Sequence, residues 1–223
     1  MEELLNKIYT TLNGEDRYIS EISNIFPYVH NEKFRKYYHL LLELCSRDVV
    51  MHCLAVSLYT YEVGLKLKSK GHNIDLDLAV YGALLHDIGR SRTHGIKHGV
   101  EGGKIVRKYN LGEELALIVE RHIGGGIPKE EAVQLGLPPR DYIPTTVEEK
   151  LVAHCDNLIS GTRRVDINFV VEKFKRRLSC DSINHPVILR ILRLNDEINL
   201  LLGEEKLRHI ECNVERQHTK GHT

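Results

Sequence analysis

No charge of either sign dominates this chain: 31 lysines and arginines stand against 31 aspartates and glutamates in 223 residues. Without a basic field, long-range attraction to a nucleic-acid backbone is weak, so nucleic acid is not an expected partner. No apolar run approaches the ~20 residues of a membrane span, so no membrane partner is expected either. The N-terminus, MEELLNKIYTTLNGED, has no apolar core of a leader peptide. The five cysteines (Cys45, Cys53, Cys155, Cys180 and Cys212) are odd in number and never form a CxxC pair. A zinc ribbon, a redox dithiol and a disulfide framework are thereby excluded as expectations, leaving reduced thiols in a cytoplasmic protein. Internal repeats and low-complexity segments are absent, as is any convincing alternating strand.

What is present is the helical period. It predicts amphipathic helices over 2–12 and 32–46, then a longer one over 47–68 carrying Val49, Val50, Leu54, Val56, Leu58, Val63 and Leu67. Asp77 is the expected cap of the next helix, whose LAVYGALL interior is apolar on nearly every face and so belongs in the core. Helices are also expected over 98–109 and 113–122, with Gly112 between them, and over 128–135 with Pro128 in the first turn. LPPRDYIP (137–144) is a stiff connector. Thr146 and Glu149 spell a capping box opening a helix to about Ile159, and 166–178 and 186–202 follow. The tail NVERQHTKGHT is expected to be unstructured, with His218 and His222 incidental. The fold class is all-α: a core over 46–162, N-terminal helices over 1–45 packed on it, and accessory helices plus a tail over 163–223.

Thirteen histidines carry most of the unusual chemistry, and they concentrate in LLHDIGRSRTHGIKHG (84–99). Helical neighbours place His52 beside Val49, Ala55 and Val56, and His86 above Gly82 and Ala83. Asp87 lies above Ala83 and Leu84, and His122 above Ile118 and Val119. Polar groups on apolar surfaces are costly without partners. Asp87 is the sharpest case, since it ends a helix at the negative pole of the dipole and is buried as well. A divalent metal shared with His86 relieves both penalties, and so does a direct His–Asp hydrogen bond; spacing alone leaves both open. Spacing also leaves Asp156 and His154 open, because they border opposite edges of the apolar arc of their helix.

Taken in order, His52, then His86-Asp87 in LLHDIG, then Asp156 in VAHCDNL resemble the H…HD…D signature of the HD superfamily. The HDIG spelling is similar to its HDIG-type subgroup, and the resemblance covers about 46–160. It implies an all-α helical bundle and a metal-dependent phosphohydrolase acting on nucleotide-type phosphomonoesters or phosphodiesters. It makes His52, His86, Asp87 and Asp156 ligands of one divalent metal, choosing Asp156 over His154. Two-metal members add histidines between the HD pair and the last aspartate, with the HD aspartate bridging. His98 in HGVEGG and His122 in ERHIGGG fit that place, and Gly99, Gly102 and Gly103 would let another backbone come close. A donor set of imidazole and carboxylate suits iron, manganese, cobalt, nickel, zinc or magnesium.

The resemblance further implies a metal-activated water attacking phosphorus in line. Arg90 stands where many HDIG proteins have lysine, keeping the charge, and with His94 and Lys97 it is expected to touch substrate. Asp87 or His94 would move protons. Arg90, Arg92, Lys97, Lys104, Arg107 and Lys108 against the single acid Glu101 favour an anionic substrate. The expected partner is therefore a phosphorylated small molecule of nucleotide type, and a homo-oligomer is compatible with the sequence. Two alternatives share the scaffold: a di-iron oxygenase, and a non-catalytic metal- and nucleotide-binding sensor. The run KFKRR (173–177) reads as a solvated face or a contact for RNA or an acidic partner.

Overall fold

Helices succeed one another along the chain in the computed structural model, which describes residues 1–204. Cys212, His218, His222 and the expected unstructured tail lie outside the described residues. The first helix, α1 (Glu2–Leu12), places Glu2 and Glu3 at its positive end and buries Leu5, Ile8 and Leu12. A short α2 (Ile19–Ile22) leads to α3 (Glu32–Leu44), which Asn31 caps by accepting the Phe34 amide at 2.8 Å. The long α4 (Arg47–Ser69) follows, then α5 (Leu76–Leu85). The cap of α5 is Asp75, accepting from the Leu78 amide at 2.9 Å, and not Asp77. Asp77 sits inside the first turn and accepts the Tyr28 hydroxyl, a contact between distant segments that local patterning could not reveal.

Next come α6 (His98–Lys108), α7 (Glu113–Arg121) and α8 (Lys129–Gln134), the last beginning one residue after Pro128. Thr146 caps α9 (Val147–Asn157) through the Glu149 amide at 3.2 Å, as the capping box predicts. That helix ends two residues early, because Ile159–Ser160 (β1) turns through Gly161 and pairs antiparallel with Arg163–Arg164 (β2). Two-residue strands are too short to show an alternating pattern. Two further helices, α10 (Ile167–Leu178) and α11 (Pro186–Leu201), complete the described chain.

The centre of the bundle is α5, packed on α3, α4, α7 and α9. Every residue from Ala79 to Leu85 is buried, which is why its sequence is apolar all round. Gly82 permits the close approach of α7, since a Cβ there would stand 2.7 Å from Ile118 Cγ2. The N-terminal helices share this core, and Leu5, Ile8, Phe26 and Phe34 belong to the same apolar cluster as Leu54 and Leu84. A second cluster joins Val170 and Val171 of α10 to Ile188 and Ile191 of α11. A third, around Ile127, Ala132, Leu137 and Tyr142, fixes the connector after α7. There Ile127 and Tyr142 exchange backbone hydrogen bonds of 3.1 and 2.8 Å. Among the described residues, no helix is long and apolar enough to cross a membrane.

Candidate metal centre

Five helices bring polar side chains to one point. His52 comes from the second turn of α4, and His86 caps the C-terminus of α5 with Asp87 directly after it. His98 opens α6, His122 caps the C-terminus of α7, and Asp156 lies in the last turn of α9. Glycine makes the α5–α6 junction possible. A Cβ on Gly89 would clash with the His98 carbonyl oxygen and stand 2.5 Å from the Gly102 amide nitrogen. Bare backbone on both sides lets the turn after Asp87 press onto the first turn of α6, which carries His98 to Asp87.

Each of four histidines is held by the same device. His86 Nδ1 lies 2.7 Å from the Ala83 carbonyl, His98 Nδ1 2.8 Å from that of Gly95, and His122 Nδ1 2.8 Å from that of Val119. His52 Nδ1 reaches the Gly161 carbonyl, in the turn of the small hairpin, at 2.8 Å. A carbonyl only accepts, so each Nδ1 carries the proton and, in the neutral ring, each Nε2 is left as a lone pair.

Those lone pairs converge on two carboxylates. Asp156 Oδ1 is 3.0 Å from His52 Nε2 and 3.3 Å from His86 Nε2. Asp87 Oδ1 is 3.2 Å from His98 Nε2 and 3.7 Å from His122 Nε2, while its Oδ2 is 3.7 Å from His86 Nε2. Acceptors thus face acceptors, and both His86 Nε2 and Asp87 Oδ1 are buried without a hydrogen-bond partner. Such an arrangement is repulsive unless positive charge enters it. His52, His86 and Asp156 offer ligand atoms within 4.8 Å of one another, and so do His86, Asp87 and His122. The donor set fits a divalent metal.

The protonation equilibria express the same demand for positive charge. Burial opposes a charged His86, but the surrounding Cys53, Asp87 and Asp156 outweigh it and hold its pKa above the usual imidazole value. For Asp87, burial works against ionisation, yet the His86 charge and the His98 and His122 rings keep the carboxyl well below its ordinary range. Asp156 is likewise held low against its burial by His86 and His52. Burial first, then the charges of His86 and His98, push His122 down to about 3.

Above the cluster opens a cavity of about 440 Å³, lined by His52, Asp87, His98, His122 and Asp156 together with Arg90 and His94. Arg90, which lines the cavity, donates its Nε to Asp87 Oδ2 and its Nη1 to the His94 carbonyl at 3.5 Å. His94 is exposed at the rim. Lys97 is not among the lining residues: it stands at the N-cap position of α6, and its Nζ lies 4.0 Å from where a Gly136 Cβ would be. His154 also lies outside the lining, buried elsewhere on α9, where burial lowers its pKa to about 4. Lys173, Phe174 and Arg177 of α10, within the KFKRR run read from sequence as a solvated face or a contact for RNA or an acidic partner, form part of the wall. The available signal was that 173 and 177 are four apart and share a helix face.

The HD domain family matches residues 49–161. An uncharacterized protein of Methanocaldococcus jannaschii is 60% identical over 170 residues, which are 76% of this chain and 99% of that relative. A tRNA (cytidine(56)-2'-O)-methyltransferase of Picrophilus torridus is 43% identical over 131 residues, covering 59% of this chain. The enzyme of the same name from Thermoplasma volcanium is 42% identical over 137 residues, covering 61% of this chain. The matches span only 37% and 39% of those two methyltransferases. No solved structure matches.

Proposed function

The chain belongs to the HD-domain family, and from that premise we propose that it is a metal-dependent phosphohydrolase cleaving a nucleotide-type phosphate ester. The observation that carries this reading is the meeting of four imidazole Nε2 atoms and two carboxylates, among which His86 Nε2 and Asp87 Oδ1 are buried without a hydrogen-bond partner. His52, His86, Asp87 and Asp156 would hold one divalent ion. His98 and His122 would hold a second, with Asp87 shared. A divalent ion bound there supplies a Lewis acid for phosphoryl oxygens and brings the pKa of a coordinated water towards ~7.

The chain's own residues supply the remaining functions. The backbone carbonyls behind each ring fix both tautomer and direction, which makes the nitrogen facing the cavity the ligand. Arg90 orients Asp87 through its Nε and offers the other guanidinium nitrogens to the phosphoryl oxygens. His94, exposed at the rim, would give a proton to the leaving group.

The test begins with the elemental content of the purified protein, followed by a panel of phosphomonoesters and phosphodiesters with each metal restored in turn. Asp87→Ala is expected to lose both bound metal and turnover. Wild-type turnover by the metal-free variant would overturn the reading.

A second reading of the substrate is favoured by the relatives named for tRNA. In it the ester belongs to an RNA and not to a free nucleotide. Competition separates the two: excess unlabelled tRNA suppresses hydrolysis of a small diester in the second reading and leaves it unchanged in the first.

A further inference from the structure

The α10 wall of the cavity carries two cations, Lys173 and Arg177, that form no ion pair among the described residues. Lys173 and Arg177 stand one helical turn apart and line the same cavity as Asp87 and Asp156. Three other basic residues of this region are paired: Lys175 meets Glu172 at 2.9 Å, and Arg164 and Arg190 meet Glu62 and Glu131. Among the described residues, no carboxylate lies within ion-pair distance of Lys173 or Arg177.

Packing holds these cations in place. Val170 and Val171 anchor α10 against Ile188 and Ile191, so the helix is fixed to the bundle. Phe174 lies between the two cations in sequence, with the Arg177 guanidinium carbon 5.8 Å from its ring centroid. Lys173 is half-buried, and burial, then Arg177, lowers its pKa against the opposing charge of Asp156, with Arg90 adding to the shift. Two unpaired cations beside a third are unfavourable in the free protein and become favourable when an anion binds among them.

Resting on the phosphohydrolase reading above, we propose that Lys173 and Arg177 form a subsite for a second phosphate, so that the substrate carries a phosphate beyond the ester at the metal centre. Arg90, tied to Asp87, serves the reacting phosphate, while the α10 pair takes the additional one. A cavity of about 440 Å³ is within the usual range for a ligand of nucleotide size. The second phosphate could be the neighbour in a pyrophosphate or the neighbour along a nucleotide chain.

The experiment measures calorimetric binding and turnover of two probe pairs, AMP with ADP and ApA with pApA, on the metal-reconstituted full chain. The wild type is expected to bind the member with the additional phosphate about 10- to 100-fold more tightly, as for charge-assisted contacts. A gain with ADP identifies the pyrophosphate spacing, and a gain with pApA the chain spacing. In K173A/R177A the gain should shrink to about twofold, and K173R/R177K should restore most of it. The proposal is overturned if neither pair shows a gain in the wild type, or if the gain survives in K173A/R177A. It is also overturned if both members of each pair weaken equally, which would assign the cations to the reacting phosphate. A gain in binding without turnover of any probe, under any metal, sinks the phosphohydrolase reading and leaves the second-phosphate subsite standing.

Discussion

His98 Nε2 and His122 Nε2 lie 3.1 Å apart although each ring donates its Nδ1 proton to a backbone carbonyl three residues earlier. Two lone pairs at that separation, both buried, require a cation. Removing bound metal with a chelator should therefore lower the thermal midpoint, by about 5–10 °C if the metal had been near a hundredfold over its Kd. His122→Ala should lose one metal equivalent and keep the one shared by His52, His86 and Asp156. Elemental analysis after gel filtration checks the stoichiometry; a complete loss of metal would show that the two positions do not fill separately.

Gly89→Ala tests the junction that delivers His98. The methyl group would meet the His98 carbonyl oxygen and the Gly102 amide, both backbone atoms that cannot rotate away. The expected destabilisation is about 1–3 kcal/mol, with α6 displaced from the turn after α5. Metal held through His98 and His122 should weaken more than metal held through His52 and Asp156, which metal titration followed by elemental analysis resolves.

Lys173→Met should stabilise the metal-loaded protein at neutral pH. The lysine pKa is lowered in the fold, chiefly by burial and then by Arg177 and Arg90. Below the folded pKa both folded and unfolded chains carry the proton, so its full penalty is felt. Above the unfolded value near 10.5 both are neutral and the penalty is gone. The variant's advantage in denaturant midpoint should therefore be largest near pH 7 and shrink as pH rises towards 10.5. A constant advantage across that range would assign the gain to packing.

Thiol reactivity should separate the cysteines. Burial, with Cys53 and Asp87 nearby, pushes Cys45 up to about 12, and burial does the same to Cys155. Cys53 is fully buried and raised as well. With a pKa of about 12, the thiolate fraction at pH 8 is on the order of one in ten thousand. Alkylation of the native protein at pH 8, read by peptide mass mapping, should label partly exposed Cys180 well before these three.

The reach of the sequence into this fold follows from how local each signal is. The all-apolar LAVYGALL and the Thr146–Glu149 box are local, and both are found where the pattern puts them. Asp77, the cap expected from the sequence, gives way to Asp75, which accepts the Leu78 amide, while Asp77 accepts the Tyr28 hydroxyl from a distant turn. His52, His86, Asp87, His98, His122 and Asp156 were legible as an ordered set before their distances were known. The choice of Asp156 over His154 needed the family pattern, because both border the apolar arc of α9. Lys97 lies outside the cavity lining and Lys173 within it for a tertiary reason. One depends on the path of the loop after Arg92 and the other on how α10 docks, and neither is written in helical spacing.

Three of the helices end at the metal centre: α5 at His86, α7 at His122 and α9 just beyond Asp156. The C-terminal pole of a helix is negative, so three such poles join two ionised carboxylates around one small volume. The positive N-terminal pole of α6 at His98 and the Arg90 guanidinium offset part of that charge. A divalent cation bound there would meet three helix ends and two carboxylates at once, and would leave the volume more receptive to an anion than before.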